Sequence, residues 1–352
     1  MLAICGQVPT EEIGTSFFQE VDNDALFSDV AVFTATVTSA NQMPQLLEAA
    51  VAHQGVAVLN LPGDISGLKL PHGTRTPRFA PPPLPSSPAA DSLDGAAAAL
   101  RDAEKVTLLV GRGAREAREE VLALAEKLAA PTVLTLKAKE GLEHENPYEV
   151  GQSGLIGNPA AVGAMDECDV LFMIGTDFPY REWYPEGKKV IQLDTRTQHI
   201  GRRTPVDIAL VGGAREGLRA LLPMLEPASG REHLEKAQSK YAEWMDDQRK
   251  LADPSFDESL LGKVRSLGDN PEEKVRPEAV ALALALDEVC PTNTIFTSDT
   301  GMSTVWLSRL LPMRGERRLI GSYNPGLDGE RHADGARRAG ARSSSPRRRT
   351  VR

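Results

Sequence analysis

Short apolar runs and longer stripes at helical spacing alternate along most of the chain. Met1-Leu-Ala-Ile-Cys5 reads as part of a buried strand that starts without a polar lead-in. A loop around Gly6-Gln7-Val8-Pro9 follows, then a short helical stretch near Phe17-Phe18-Gln19-Glu20 and a helix from Gln42 to His53. Strand Val56–Leu61 ends at Pro62-Gly63-Asp64. Seven prolines between Pro71 and Pro88 cannot continue helix or sheet and predict an extended, semi-rigid linker.

Beyond that linker, Val106-Thr-Leu-Leu-Val110 is a continuous apolar run, suited to a parallel strand covered on both faces. Gly111-Arg112-Gly113-Ala114 turns the chain, and Glu119 to Ala129 places Val121, Leu122, Leu124, Ala125 and Leu128 at helical spacing. Further strands are predicted at Thr132–Leu136, Val170–Ile174, Lys189–Asp194 and Asp207–Val211, with a helix over Ala214–Leu225. Such alternation predicts an α/β fold of doubly wound parallel sheets with right-handed crossovers. A charged helix from Arg231 to Ala252 and a polar stretch to Arg276 form a second linker. Pro277 then opens a helix to Val289, and strand Thr294–Thr297 follows.

Composition narrows the class. The 352 residues are 41% hydrophobic and 25% charged, which excludes collagen-like, fully disordered and multi-span membrane chains. No apolar run reaches the ~18 residues of a membrane span, and no export signal opens the chain, so a cytoplasmic protein is expected, at most peripheral to the membrane surface. The net charge is −9, but Pro325–Arg352 holds eight Arg and three acids, so the rest carries 32 basic against 46 acidic residues, or −14. A body that acidic argues against nucleic acid. Cys5, Cys168 and Cys290 are odd in number and far apart, which argues against disulfides or a zinc site. The six histidines, His53, His72, His144, His199, His233 and His332, never sit near acids or cysteines at metal spacing and read as lone and solvated; no metal ligands are expected.

Candidate chemistry lies in loops. Gly111-x-Gly113 between strand and helix suits either a phosphate cradle or a plain tight turn. Asp194, at the carboxyl end of its strand, could accept from a ribose or merely cap a helix. Ser153-Gly-Leu-Ile-Gly157 and Thr176-Asp-Phe-Pro-Tyr180 face the same side of the sheet and suggest a ligand crevice, although Phe178 and Tyr180 also suit packing. Tyr241 and Trp244, three apart, read as a packing stripe.

Several segments together resemble the thiamine-diphosphate-dependent enzymes, most closely the FAD-containing pyruvate oxidase and pyruvate dehydrogenase (quinone) branch. They are Ile13-Gly14 with Phe17–Glu20, Asn146–Gly151, Ser153–Gly157, Gly175–Tyr180, Asp207–Gly212 and Asp299-Thr-Gly301 with Thr304-Val-Trp306, in order along residues 3–324. The resemblance implies the second half of a pyrimidine-binding domain at 1–66, a linker at 67–89, a whole FAD-binding domain at 90–226, a linker helix at 227–276 and the start of a diphosphate-binding domain at 277–324. It implies FAD contacts at Ser153, Gly154, Leu155, Ile156, Thr176, Asp177, Phe178, Pro179, Tyr180 and Asp194, with Gly111 and Gly113 near the cofactor phosphates. Phe18 and Gln19 would line a pyruvate pocket, and Gly301 with Ser303 would lie beside thiamine diphosphate.

Family members decarboxylate pyruvate on thiamine diphosphate with Mg²⁺ and pass electrons through FAD to quinone or oxygen, as homotetramers. An acetolactate-synthase-like relative, or a surviving flavin-binding module, is the alternative. The Glu that activates the thiamine ring is expected upstream of Met1 and the Mg²⁺-diphosphate motif downstream of Asn324, so this chain is expected to be inactive alone and to leave sheet faces uncovered. Residues 325–352 read as an out-of-frame tail: one permitted back-translation from Pro325, read one base later, gives the family's continuation after Gly321-Ser-Tyr-Asn324. Both methionine codons in it are forced by the fixed bases of Asp328 and His332. The alternative is a basic tail for a polyanion or a membrane surface.

Overall fold

The computed structural model describes residues 1–53, 55–79, 85–252, 277–321 and 323. It divides into two units, Met1–Leu84 and Pro85–Arg352. The expected tail over 325–352 and the stretch 253–276 lie outside the described residues.

In the first unit, strands β1 (Leu2–Gln7), β2 (Phe33–Thr36) and β3 (Ala57–Pro62) form a parallel sheet in the order β1-β3-β2. Helices α1 (Asn23–Phe27), α2 (Met43–Ala52) and the single turn α3 (Gly63–Ser66) connect or follow them. The expected helix at Phe17–Glu20 is absent. Ser16 and Gln19 take left-handed backbone angles (φ 62° and 63°), and the Glu20 carboxylate accepts from the amides of Gly14 and Phe17, which closes turns instead. The helix forms later, where Asp22 caps it by accepting from the Ala25 amide at 3.0 Å. Strand β2 escaped the sequence reading because its Phe-Thr-Ala-Thr run, although it alternates, is only four residues long and holds one large apolar side chain. Its Thr36 Oγ1 accepts from the Asn60 amide of the central strand at 3.2 Å.

The second unit is built on a five-stranded parallel sheet. Strands β4 (Val106–Val110), β5 (Thr132–Leu134), β6 (Val170–Ile174), β7 (Lys189–Asp194) and β8 (Ile208–Val211) stand in the order β5-β4-β6-β7-β8. Successive side chains point to opposite faces, and both faces are covered. Leu108, Val110, Phe172, Ile174, Ile191 and Leu193 pack with α4 (Ala90–Arg101), α5 (Arg118–Lys127) and, beyond α6 (Leu136–Leu142) and α7 (Pro159–Glu167), α8 (Ala214–Leu221). Leu109, Leu171, Met173 and Val190 pack on the other side with α7 and α9 (Glu232–Leu251). This two-sided burial is the doubly wound α/β architecture expected from the apolar runs. The strand expected to continue to Leu136 stops at Leu134, because α6 begins there, broken by Gly141 at φ 95°. The helix expected to Leu225 ends at Leu221 and continues as a 3₁₀ turn over Leu222–Met224, where Pro223 lacks the donor an α-helix needs.

The same unit ends with α10 (Pro277–Val289), β9 (Ile295–Ser298), α11 (Met302–Leu310) and β10 (Arg318–Gly321), β9 and β10 pairing in parallel. Arg317 is the polar anchor of this part, 2% exposed. Its guanidinium pairs with the Asp287 carboxylate at 2.5 Å, donates to the carbonyls of Asp287, Cys290, Pro291 and Pro312, and stacks over Phe296. Burial alone would raise the Asp287 carboxyl, but hydrogen bonds from Arg314 and Arg317 hold it below the usual carboxylate range. Arg317→Ala should cost about 3–5 kcal/mol, because it strands a partly buried carboxylate and several carbonyls. Arg317→Lys should recover little, because an ammonium cannot reproduce the planar fork. Urea unfolding of this part measures both.

Candidate functional site

The carboxyl ends of β4 and β6 meet at the centre of the sheet, where connections leave toward opposite edges; in open α/β sheets this is where ligands bind. Here the two chains touch backbone to backbone. The Gly111 amide donates to the Ile174 carbonyl and the Gly113 amide to the Gly175 carbonyl, both at 2.9 Å. A Cβ on Gly111 would lie 2.4 Å from the Gly175 oxygen, and one on Gly175, at φ 59°, would lie 2.7 Å from the Ala114 nitrogen. The glycine pair is thus explained by the tight turn, and its N–H groups are already engaged by protein carbonyls rather than held out for a phosphate.

The two loops singled out in sequence touch each other. Gly154, at φ 81°, brings its Cα so near the second loop that a Cβ would meet the rings of Phe178 and Tyr180 at 2.9 and 3.0 Å. Beneath it, Gln152 is 4% exposed with neither its amide nitrogen nor its oxygen bonded, and the buried Ser153 hydroxyl is likewise without a partner. Three unsatisfied polar atoms in one loop are costly in a protein interior and suit a polar ligand. Sequence reading passed over Gln152; its signal was a polar residue between Gly151 and Ser153 directly after a buried Val150.

The second loop divides its roles. Thr176 is buried and its carbonyl accepts from the Gln192 amide at 3.4 Å. Asp177 is held by Arg202 and Arg203. Phe178 packs edge-on against Tyr180 and Tyr184, whose hydroxyl donates to the Phe178 carbonyl at 2.8 Å; Phe178 is therefore a packing residue. Pro179 and Leu155 are exposed, and Ile156 and Tyr180 half-buried. Asp194 ends β7 level with Gly175, whose amide donates to the Leu193 carbonyl at 2.8 Å. Its Oδ1 accepts from the Arg196 amide at 2.9 Å and lies 3.3 Å from His199 Nδ1. Asp194 is thus a turn cap, and among the described residues no bond is made to its Oδ2.

Other expected residues lie elsewhere. Phe18 and Gln19 stand exposed on the turn of the first unit. Gly301, at φ 123°, precedes α11 with open space around it, and the exposed Ser303 donates to the Asp299 carbonyl at 3.0 Å. No group of three or more His, Cys, Asp or Glu that could hold a metal occurs among the described residues. His199 and His233 are not solvated loners: His199 lies against Asp194, and His233 Nε2 lies 2.9 Å from Thr107 Oγ1, with burial lowering its pKa. Burial pushes the Cys168 thiol up to about 12, so it is not a nucleophile. Tyr241 and Trp244 stack at 6.1 Å, as a packing stripe should.

Below the first loop, Lys139, Glu149, Gln152, Tyr241, Ser308 and Arg309 surround a cavity of about 10 Å³, the smallest that takes one water and too small for a cofactor. Lys139 Nζ donates to the Ser308 carbonyl at 2.6 Å and pairs with Glu143 at 2.8 Å. Glu149 is pushed up to about 8 by burial and by the Glu143 charge, against the opposing pull of Lys139 and the Tyr241 hydroxyl. A carboxyl raised in this way favours the fold below its unfolded value, and that contribution is lost as pH rises through about 8. Glu149→Gln should therefore match the parent near pH 5 and melt higher near pH 8.5, checked by thermal denaturation at both pH values. Gly175→Ala should cost about 1–3 kcal/mol by forcing the strand ends apart, checked by urea unfolding.

Fold and site thus define a doubly wound α/β domain with its polar loops gathered at the sheet's switch point. Residues 93–221 match the family "Thiamine pyrophosphate enzyme, central domain", so this domain belongs to the thiamine pyrophosphate enzyme family. It is 33% identical over 327 residues to YdaP of Bacillus subtilis, assigned as thiamine pyrophosphate-containing, covering 91% of this chain and 53% of that one. It is 28% identical over 347 residues to the acetolactate synthase large subunit of Corynebacterium glutamicum (94% and 52%), and 28% over 232 residues to the pyruvate oxidase of Lactiplantibacillus plantarum (63% and 38%). The chain spans about half the length of most of the curated relatives it matches. Among the described residues no helix is long and apolar enough to cross a membrane.

Proposed function

We propose that the Pro85–Arg352 unit binds FAD at the switch-point crevice and belongs to an enzyme that decarboxylates pyruvate on thiamine diphosphate, passing electrons through FAD to quinone or oxygen. The observation that carries the flavin reading is the contact of Gly154 with the rings of Phe178 and Tyr180, next in sequence to the unpartnered Gln152 amide and Ser153 hydroxyl. A flavin supplies an electron acceptor next to the reacting carbon. The chain's own part is to bind and orient it: Gln152 offers a donor and an acceptor, Ser153 a hydroxyl, and Asp194 Oδ2 an acceptor at the sheet edge. The likeness to a pyruvate oxidase supports the oxidative chemistry. The likeness to acetolactate synthases supports, equally, a reading in which two 2-keto acids are joined. Thiamine diphosphate follows from the family; Mg²⁺ and a homotetramer belong to the same proposal.

Purified protein should be yellow and release flavin on heating, and FAD fluorescence should quench on titration. Asp194→Asn keeps Oδ1 as an acceptor for the Arg196 amide while removing the charge, so it should leave the melting temperature nearly unchanged and weaken FAD by about tenfold. A colourless protein that ignores FAD would sink the flavin reading. For the whole enzyme, pyruvate-dependent reduction of a quinone or dye, against formation of acetolactate, separates the two chemistries.

A further inference from the structure

Arg309, on α11, is half-buried, and burial lowers its pKa. Among the described residues no carboxylate pairs with it. Its Nε donates instead to the Ile156 carbonyl at 3.1 Å and its Nη2 to the Leu155 carbonyl at 3.2 Å. A guanidinium withdrawn from water to hold two successive backbone carbonyls is an expensive arrangement unless the position of those carbonyls matters.

The carbonyls belong to the 3₁₀ turn Gly154–Ile156, directly after the unsatisfied Gln152 and Ser153. From inside the domain, Asn158 fixes the same loop: its amide donates to the Val150 carbonyl at 3.1 Å, and its oxygen accepts from the Ala160 and Ala161 amides. The loop closes on itself through Gly157 to Gly154 and Asn158 to Gln152. Arg309 is the hold from outside. The helix that carries it is itself fixed, because Lys139 donates to the carbonyl of the neighbouring Ser308. A chain of contacts thus runs from the central sheet through Lys139 to α11, and back through Arg309 onto the loop.

We propose that Arg309 is a positioning residue for the cofactor loop: it sets the Leu155–Ile156 turn, and through it the direction in which Gln152 and Ser153 meet a bound flavin. Residues after the second linker thereby act on a site made by the central sheet. The flavin part of this inference rests on the FAD reading above.

The test uses the full chain with Arg309→Met, which removes fork and charge, and Arg309→Lys, which keeps the charge alone. Two readouts are taken: FAD affinity with the visible absorption of the bound flavin, and hydrogen exchange at the Gly157 and Asn158 amides without flavin. Expected results are faster exchange at both amides in both variants, FAD about tenfold weaker in Arg309→Met, a changed flavin spectrum, and little recovery in Arg309→Lys. Should Arg309→Met fail to fold, Arg309→Lys alone decides. Parent-like exchange at Gly157 and Asn158 together with parent-like FAD affinity would overturn the proposal. Faster exchange in a protein whose parent binds no FAD would uphold the hold on the loop while refuting the flavin reading.

Discussion

The backbone-to-backbone contact of Gly111 and Gly113 with Gly175 is the constraint on which the central domain turns. Strands β4 and β6 can leave the sheet in opposite directions only if their ends pass each other without side chains between them. That close passage lines up Thr176 and the loop after it beside Asp194, where the Phe178 and Tyr180 rings meet Gly154. The glycines therefore place the site without contributing functional groups to it. The polar atoms come from neighbours whose own bonding the loop geometry leaves unfinished, chiefly Gln152 and Ser153.

A second set of contacts ties the end of the chain to this domain. Lys139 reaches Ser308, Glu143 accepts from the Met313 amide at 2.7 Å, and Glu140 pairs with both Arg115 and Arg318. Two of these groups project from α6 and the third, Glu143, follows its last residue; α6 is a helix of seven residues interrupted at Gly141. Its break turns one short segment into a junction, because residues on either side of Gly141 address different partners. Arg309 and Arg317 lie on the far side of the junction; one fixes a loop and the other fixes β9 against α10.

The continuous apolar runs at Val106–Val110 and Val170–Ile174 were legible because a strand buried on both faces has no polar positions to confuse it. The two candidate loops stood out as unusual Gly- and Pro-bearing segments, the second directly after such a strand, and through resemblance to a family. What escaped had a different physics. The helix expected at Phe17–Glu20 lost to local capping by Glu20, and β2 was hidden by its shortness. Lys139 and Arg309 are ordinary polar residues whose importance comes from partners up to 169 positions away, as between Lys139 and Ser308, and Gln152 is one whose importance comes from lacking a partner. Asp194 and the glycine pair were correctly placed at strand ends, but only coordinates show that the glycines are used by packing and that one oxygen of Asp194 is used by a turn.

The loop Thr176–Tyr180 is fastened at two adjacent residues by unlike forces. Phe178 and Tyr184 make buried ring contacts, which ionic screening does not weaken. Asp177 is tied to Arg202 and Arg203, which are 43% and 30% exposed at the side chain, and such pairs lie within reach of the ionic atmosphere, whose screening length is about 8 Å at physiological strength. Ionic strength is therefore a handle on one of the two fastenings alone: raising it weakens the Asp177 pairs and leaves the Phe178 ring contacts in place.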